Sequence, residues 1–215
     1  MKIYHIIKRI FDIILSLIGI IILMPVFIIL AVWIKFSSKG PVIYKHERIG
    51  KNGKEFNIYK FRSMVVGARD MHNKGIGYDK LITSAGRFMR KTFLDETAQL
   101  FNILKGDMGL VGPRPLDKEF YESWFKKNKH VNDIIKIKPG LTSIESVTDY
   151  LKQDEKIKFE KNFKGLLKRD TDRKHFLKHR MVLDSYYVEK ESFCLDIKII
   201  CYTFILMLRK IFSKK

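Results

Sequence analysis

Residues Ile13–Ile34 read IILSLIGIIILMPVFIILAVWI, 22 consecutive residues without a charge and nearly all apolar. The run passes the ~20-residue length that a helix needs to cross a bilayer. A cleavable signal peptide fits poorly, because the run is long, Pro25 lies near its centre and no small-x-small cleavage site follows. A proline inside a helix removes one backbone hydrogen bond and clashes with the preceding turn, so it kinks or breaks the helix. Two arms of ~11–12 residues each reach only ~17 Å, about half of a ~30 Å hydrocarbon core. Lys2, Lys8 and Arg9 precede the run, and Lys35, Lys39, Lys45, Arg48 and Lys51 follow it, so positive charge flanks both ends without asymmetry. A re-entrant helix–break–helix hairpin, with both ends at one membrane face, shows this pattern. An ordinary kinked span also tolerates a proline. Asp12, three residues after Arg9, is expected to pair with it locally.

Outside this segment the composition sets bounds. A chain of 215 residues suffices for one domain with a real core. Lys and Arg outnumber Asp and Glu by 42 to 23, a net +19, which points to a polyanionic partner: nucleic acid, an anionic membrane face or a phosphorylated substrate. No recognition-helix or RNA-binding signature accompanies the charge, so nucleic acid is not expected. Cys194 and Cys201 fall seven residues apart in an expected helix. At ~1.5 Å per residue they are ~10 Å apart, too far for a disulfide, and no thiolate zinc site is available.

The fold class expected is α+β, mainly helical. Val42–Met64 reads as a β-hairpin turning at Asn52-Gly53, with Lys60 and Arg62 making one face of its second strand basic. Residues 65–80 read as a mobile loop and 81–91 as a short helix or turn carrying basic residues. Asp95–Lys105 reads as a helix stopped by Gly106. Residues 116–131 form an amphipathic helix carrying Phe120, Tyr121, Trp124 and Phe125. Residues 150–180 carry an apolar stripe of Phe159, Phe163, Leu166, Leu167 and Phe176. In the last apolar stretch, 193–212, the uncharged run Ile199–Leu208 is short for a span and suits a core or interfacial helix. The organisation expected is a membrane-associated segment at 1–38 and a catalytic domain at 39–215 that ends in that interfacial helix.

The chemistry concentrates in RKTFLDETAQLFNILKGDMGLVGPRP, Arg90–Pro115. Asp95 and Glu96 adjoin Arg87, Arg90 and Lys91. Thr92-x-x-Asp95 matches a capping box, so the carboxylates have a purely structural reading as a helix start. The same helix dipole and arginines also keep a carboxylate ionised, able to attack phosphorus or to bind Mg²⁺. Gly106, Gly109 and Gly112 offer either a plain turn or an anion-binding nest. Arg114, between two prolines, is held on a stiff backbone suited to a bidentate phosphate contact. No P-loop, HExxH or GxSxG pattern appears.

With these residues in view, the chain resembles the bacterial sugar transferase family, the small monotopic phosphoglycosyl transferases. The resemblance covers KRIFDIILSLIGIIILMPVFIIL, GPVIYKHERIGKNGKEFNIYKFRSM, GRFMRKTFLDETAQLFNILKGDMGLVGPRP, KPGLTS and LDSYYVEKESFCLDIKII. It implies a re-entrant membrane helix, Asp95 as nucleophile, Glu96 as its dyad partner and Mg²⁺ held between them. It implies that Asp95 attacks the β-phosphorus of a UDP-sugar, that UMP leaves, and that a polyprenol phosphate such as undecaprenyl phosphate then takes the phosphosugar. Such a reaction opens glycan assembly at the cytoplasmic face of a bacterial inner membrane, among membrane lipids and downstream glycosyltransferases. A catalytically silent scaffold of a glycan-assembly complex is the alternative. By motif position Arg90 and Arg114 are phosphate contacts, with Lys60 and Arg62 behind them. Lys138, Gly140 and Thr142 mark the nucleotide or sugar region. There the sequence departs from the family pattern: Lys138 replaces an arginine and loses its bidentate fork. The acceptor also sets a geometric demand. Asp95 must lie near the headgroup plane, beside the basic strand of residues 55–62.

Overall fold

The computed structural model describes residues 2–123, 133–150 and 176–212. Helix α1 (Lys2–Ser37) is a single element of 36 residues with Pro25 inside it. One helix thus replaces the expected pair of helices separated by a break. Packing on both sides of the proline holds the helical course. Before it, Ile20 is buried and a side chain at Gly19 would meet Leu100 at 3.2 Å. After it, the Phe27 ring lies 5.2 Å from Phe61 and 6.2 Å from Phe101.

Both ends of α1 dock on the rest of the chain. Near the start, the Arg9 guanidinium donates to the carbonyls of Ile103 (2.6 Å) and Leu104 (2.9 Å), and Asp12 accepts from the Leu110 amide. The expected Arg9–Asp12 pair is therefore not made; Asp12 instead faces Lys8 at 3.8 Å. Near the end, Trp33 stacks on Phe88 and Leu30 and Ile34 are buried. Burying each aliphatic side chain of this kind contributes about 1.5–3 kcal/mol. The opposite face, with Ile21, Ile22, Ile28, Ile29 and Phe36, is exposed. Only 22% of the most apolar window of α1 is buried, unlike the mostly buried core helix of a water-soluble domain; a face this apolar and this long suits association with a membrane.

Strands β1 (Ile43–Ile49) and β2 (Glu55–Phe61) form the expected antiparallel hairpin, with Ile43 opposite Phe61 and Ile49 opposite Glu55. Asn52 (φ 58°) and Gly53 (φ 74°) take the left-handed conformations of the turn. The 65–80 segment, expected as a loop, holds two short helices, α2 (Ala68–Asn73) and α3 (Tyr78–Leu81). Helix α4 (Ser84–Thr92) is capped by Thr83, whose hydroxyl accepts from the Gly86 amide. Helix α5 (Gln99–Lys105) ends at Gly106, left-handed at φ 98°, as its sequence signalled. Strand β3 (Gly109–Val111) follows. Strand β4 (Leu116–Asp117) extends the first sheet to the order β2-β1-β4 and leads into α6 (Lys118–Ser123). Trp124, Phe125 and the stripe from Phe159 to Leu167 lie outside the described residues. Strand β5 (Gly140–Thr142) pairs parallel with β3. Helices α7 (Ile144–Tyr150), α8 (Phe176–Lys190) and α9 (Phe193–Phe212) complete a mainly helical α+β arrangement.

Two cores result. One joins α1, β2, α4 and α5 through Phe27, Phe61, Met89 and Ile103. The other joins β3, α7, α8 and α9 through Val111, Ile144, Leu183 and Ile199. Asp196, buried in α9, ties α1 to the second: it accepts from Lys8 Nζ (2.7 Å), Tyr4 Oη (3.0 Å) and Tyr187 Oη (2.6 Å). The outer face of α9, with Phe204, Ile205 and Phe212, is apolar and exposed like that of α1.

Candidate active site

Asp95 and Glu96 occupy a 3₁₀ turn (Leu94–Glu96) between α4 and α5, rather than the first turn of a helix. The capping box does not form: the Thr92 hydroxyl donates back to the carbonyls of Phe88 and Met89. What aims the dyad is Phe93, which breaks α4 with a left-handed φ of 59°. That conformation is uncommon for a bulky residue, and the Lys210 ammonium lies 4.0 Å over its ring.

Glu96 is tied and Asp95 is not. Lys60 Nζ donates to Glu96 Oε1 at 2.6 Å. Burial works against ionising Glu96, but Lys60, with Arg114 and Gln99, outweighs it and holds the carboxyl below its ordinary value. Asp95 has no side-chain hydrogen-bond or ion-pair partner among the described residues. Burial and the Glu96 charge push its carboxyl up, opposed by Lys60 and Arg90. A half-buried carboxylate without a partner side chain, next to an anchored one, is more basic and more available as a nucleophile.

Lys60 is placed by Asn102 of α5. Its side-chain oxygen accepts from the Tyr59 amide (2.9 Å) and its nitrogen donates to the Asn57 carbonyl (2.7 Å), sealing the free edge of β2 on either side of Ile58. The basic strand and the carboxylate pair thus meet as the sequence demanded. Arg90 is oriented by Nε donating to Ser63 Oγ at 3.0 Å, and it acts on Asp95 through its charge.

Arg62 requires a correction. Its guanidinium is buried and donates to the carbonyls of Ile34, Ser38 and Lys39, closing the C-terminus of α1, so it is not available to a phosphate. The glycine nest is also not present. The amides of Gly106, Gly109 and Gly112 are bonded to the carbonyls of Asn102 and Ile103, of Pro139 and of Thr142. The glycines serve close packing instead: a side-chain carbon on Gly140 would lie 2.1 Å from the Gly112 nitrogen.

A cavity of about 300 Å³ opens beside the dyad. Glu96, Arg114 and Thr142 line it with Phe93, Leu110, Leu141 and α9 residues Phe204 and Met207; apart from the two charges and a few hydroxyls it is apolar. Arg114 is exposed there, its own carbonyl held by Arg180 Nη2 at 2.7 Å. Lys138 is not in this cavity. Side chains alternate across a strand, and β3 places Leu110 on the Glu96 side while Gly109, Val111 and Lys138 line a different cavity. Gly140 lies between the two as a packing residue. Thr142 is the member of the expected nucleotide or sugar group that faces the dyad.

Sequence reasoning did not find Lys210, Phe93 or Asn102. Burial pushes the Lys210 ammonium down while Asp95 and Glu96 pull it up, which places it in the field of the dyad. No local pattern links Lys210 to Asp95; only the packing of α9 does.

Among the described residues no group of three or more metal-ligating side chains converges. Mg²⁺ needs only one or two carboxylates when substrate phosphates and waters supply the rest. The hard oxygens of Asp95 and Glu96 fit that donor set.

The bacterial sugar transferase family matches residues 3–210, and the chain belongs to this family. It is 35% identical to the undecaprenyl-phosphate galactose phosphotransferase of Salmonella typhimurium, over 94% of this chain and 40% of that protein. It is 34% identical to the UDP-glucose:undecaprenyl-phosphate glucose-1-phosphate transferase of Klebsiella pneumoniae, over 91% and 39%. It is 36% identical to the UDP-N-acetylgalactosamine-undecaprenyl-phosphate N-acetylgalactosaminephosphotransferase of Aeromonas hydrophila, over 75% and 39%. The chain therefore spans about two fifths of the length of these relatives.

Proposed function

We propose that this chain transfers a sugar 1-phosphate from a UDP-sugar to a polyprenol phosphate, with Asp95 as the nucleophile. The carrying observation is the asymmetry of the dyad: Glu96 fixed by Lys60 and lining an apolar cavity that also holds Arg114, and Asp95, next to it in the chain, without a partner side chain. A carboxylate oxygen of Asp95 attacks the β-phosphorus of the donor. The bond from that phosphorus to the bridging oxygen breaks, UMP departs with the electron pair, and an aspartyl phosphosugar remains. An oxygen of the polyprenol phosphate then attacks the same phosphorus and frees the Asp95 carboxylate. Arg90, Arg114 and Lys60 gather the phosphates and stabilise charge on the equatorial oxygens. Asp95 and Glu96 oxygens would hold Mg²⁺, which when bound would neutralise charge on the diphosphate.

The apolar cavity suits the prenyl end of the acceptor, whose phosphate would meet Glu96 and Arg114 at its mouth. Contacts at both ends of α1 favour a domain at one membrane face: a straight span would carry the Lys8–Arg9 end and the Ser37 end to opposite sides of a ~30 Å core, yet one domain holds both. The cytoplasmic face of the bacterial inner membrane supplies the UDP-sugar. Incubating the protein with a panel of UDP-sugars that includes deoxy-amino sugars, together with Mg²⁺ and undecaprenyl phosphate, should release UMP with at least one donor. No release with any donor would overturn the proposal.

A further inference from the structure

Behind the β3–β5 ribbon, away from Glu96, lies a second cavity of about 130 Å³. Its walls come from the start of α1, the β1–β2 turn, the segment before β5 and the end of α8. Lys8, Arg9, Lys51, Lys136 and Lys138 line it, against two carboxylates, Asp12 and Glu191. Both carboxylates are already committed: Asp12 to Lys8 and the Leu110 amide, Glu191 to His5 at 3.2 Å. Lys136 is held by Asp133 at 2.6 Å. Lys51 and Lys138 have no hydrogen-bond or ion-pair partner among the described residues. Lys138 and Arg9 crowd one spot: a side-chain carbon on Gly106 would lie 3.6 Å from Lys138 Nζ and 3.5 Å from Arg9 Nη2. Burial, and then the charges of Arg9 and Lys51, push the Lys138 ammonium down. Arg9, Lys51 and Lys138, brought together from three segments with no anion paired to them among the described residues, repel one another, at a cost that a bound anion removes.

We propose that this cavity binds a phosphate group through Lys51 and Lys138, at a site separate from the Asp95–Glu96 dyad; Arg9, both Nη atoms of which stay bonded to the carbonyls of Ile103 and Leu104, adds its charge from the wall. Two ammonium groups arriving from different segments, each with three donors, suit a tetrahedral, multiply acceptor-rich oxyanion better than a planar carboxylate. The cavity also borders the exposed apolar face of α1. His5, Lys8, Arg9 and Asp12 face it from one side of α1, while Ile3, Ile6, Ile7 and Ile10 are exposed on the other, about one helix diameter, ~10 Å, away. The phosphate can thus be that of an anionic lipid headgroup or a soluble one. The site does not depend on the reaction at Asp95.

The test uses the full chain in detergent, with native mass spectrometry after addition of phosphatidylglycerol or phosphatidylcholine, and thermal unfolding with and without inorganic phosphate. Lys51→Met/Lys138→Met is compared with Lys39→Met/Lys45→Met, which removes the same charge from exposed positions. Lys51→Met alone, on an exposed turn, serves if the double variant does not fold. Retention of phosphatidylglycerol over phosphatidylcholine, weakened at least tenfold in the Lys51/Lys138 variant and kept in the control, establishes a lipid headgroup site. A phosphate-induced rise in Tm lost in the same variant establishes a soluble phosphate site. Equal behaviour of wild type and the Lys51/Lys138 variant with both probes, or an equal loss in the control, overturns the proposal.

Discussion

The Lys60 ammonium lies 2.6 Å from Oε1 of Glu96, joining the second strand of the hairpin to the carboxylate turn 36 residues later. This contact keeps Glu96 ionised while Asp95 stays without a partner side chain. Lys60→Met removes a charge-assisted hydrogen bond worth about 1.5–3 kcal/mol, so kcat/KM for UMP release should fall about 10- to 100-fold. Without the cation the Glu96 carboxyl rises and stays protonated to higher pH. The acidic limb of the pH–rate profile should therefore move to higher pH, which a profile on both proteins measures.

Arg62 and Arg114 should separate folding from activity. Arg62→Met leaves the carbonyls of Ile34, Ser38 and Lys39 without their donor and should cost about 3 kcal/mol, seen as a lower Tm. Arg114→Met, at an exposed position beside Glu96, should leave Tm unchanged within about 1 °C while lowering kcat/KM at least tenfold. Thermal unfolding and UMP release on both variants give the comparison.

Asp196 should be a stability residue. Asp196→Ala strands Lys8, Tyr4 and Tyr187 beside a buried void. Breaking a buried pair in this way costs about 3–5 kcal/mol, on the order of 10 °C at about 2–4 °C per kcal/mol for a chain of this size. Asp196→Asn, which keeps the acceptor, should lose less, and thermal unfolding ranks the two.

Asp184 makes stability pH-dependent. Burial, reinforced by Glu145 and opposed by Arg180 and Arg114, pushes its carboxyl up to about 7. The folded state keeps a proton that the unfolded state releases near its ordinary value of about 4. Stability therefore falls as pH rises from about 4 to 7. Asp184→Asn should flatten this part of the Tm–pH curve; an unchanged slope assigns the dependence elsewhere.

What the sequence made legible was local. Asn52-Gly53 marked the hairpin turn, Gly106 the end of α5, and the uncharged run from Ile13 to Ile34 the uncovered helix. The candidate site was legible where its residues are neighbours, as Asp95 and Glu96 are. Roles decided by distant packing were not. Arg62 shares a strand face with Lys60 on paper, yet it turns inward because the end of α1 presents it with three carbonyls. Lys138 and Thr142 stand four residues apart on opposite sides of a ribbon that no short pattern reveals. The carboxylate turn itself depends on a left-handed Phe93, which its sequence gives no reason to expect.

The central claim is that Asp95 takes the phosphosugar, and a covalent-labelling experiment tests it most directly. The protein is incubated with a competent UDP-sugar carrying a radiolabelled β-phosphate, with Mg²⁺ and without polyprenol phosphate, then quenched and separated from small molecules. Wild type should retain label in step with one burst of UMP, and undecaprenyl phosphate should chase it off. Asp95→Asn, folded as judged by its Tm, should retain none. Label on the Asp95→Asn protein, or full UMP release by it, would contradict the account.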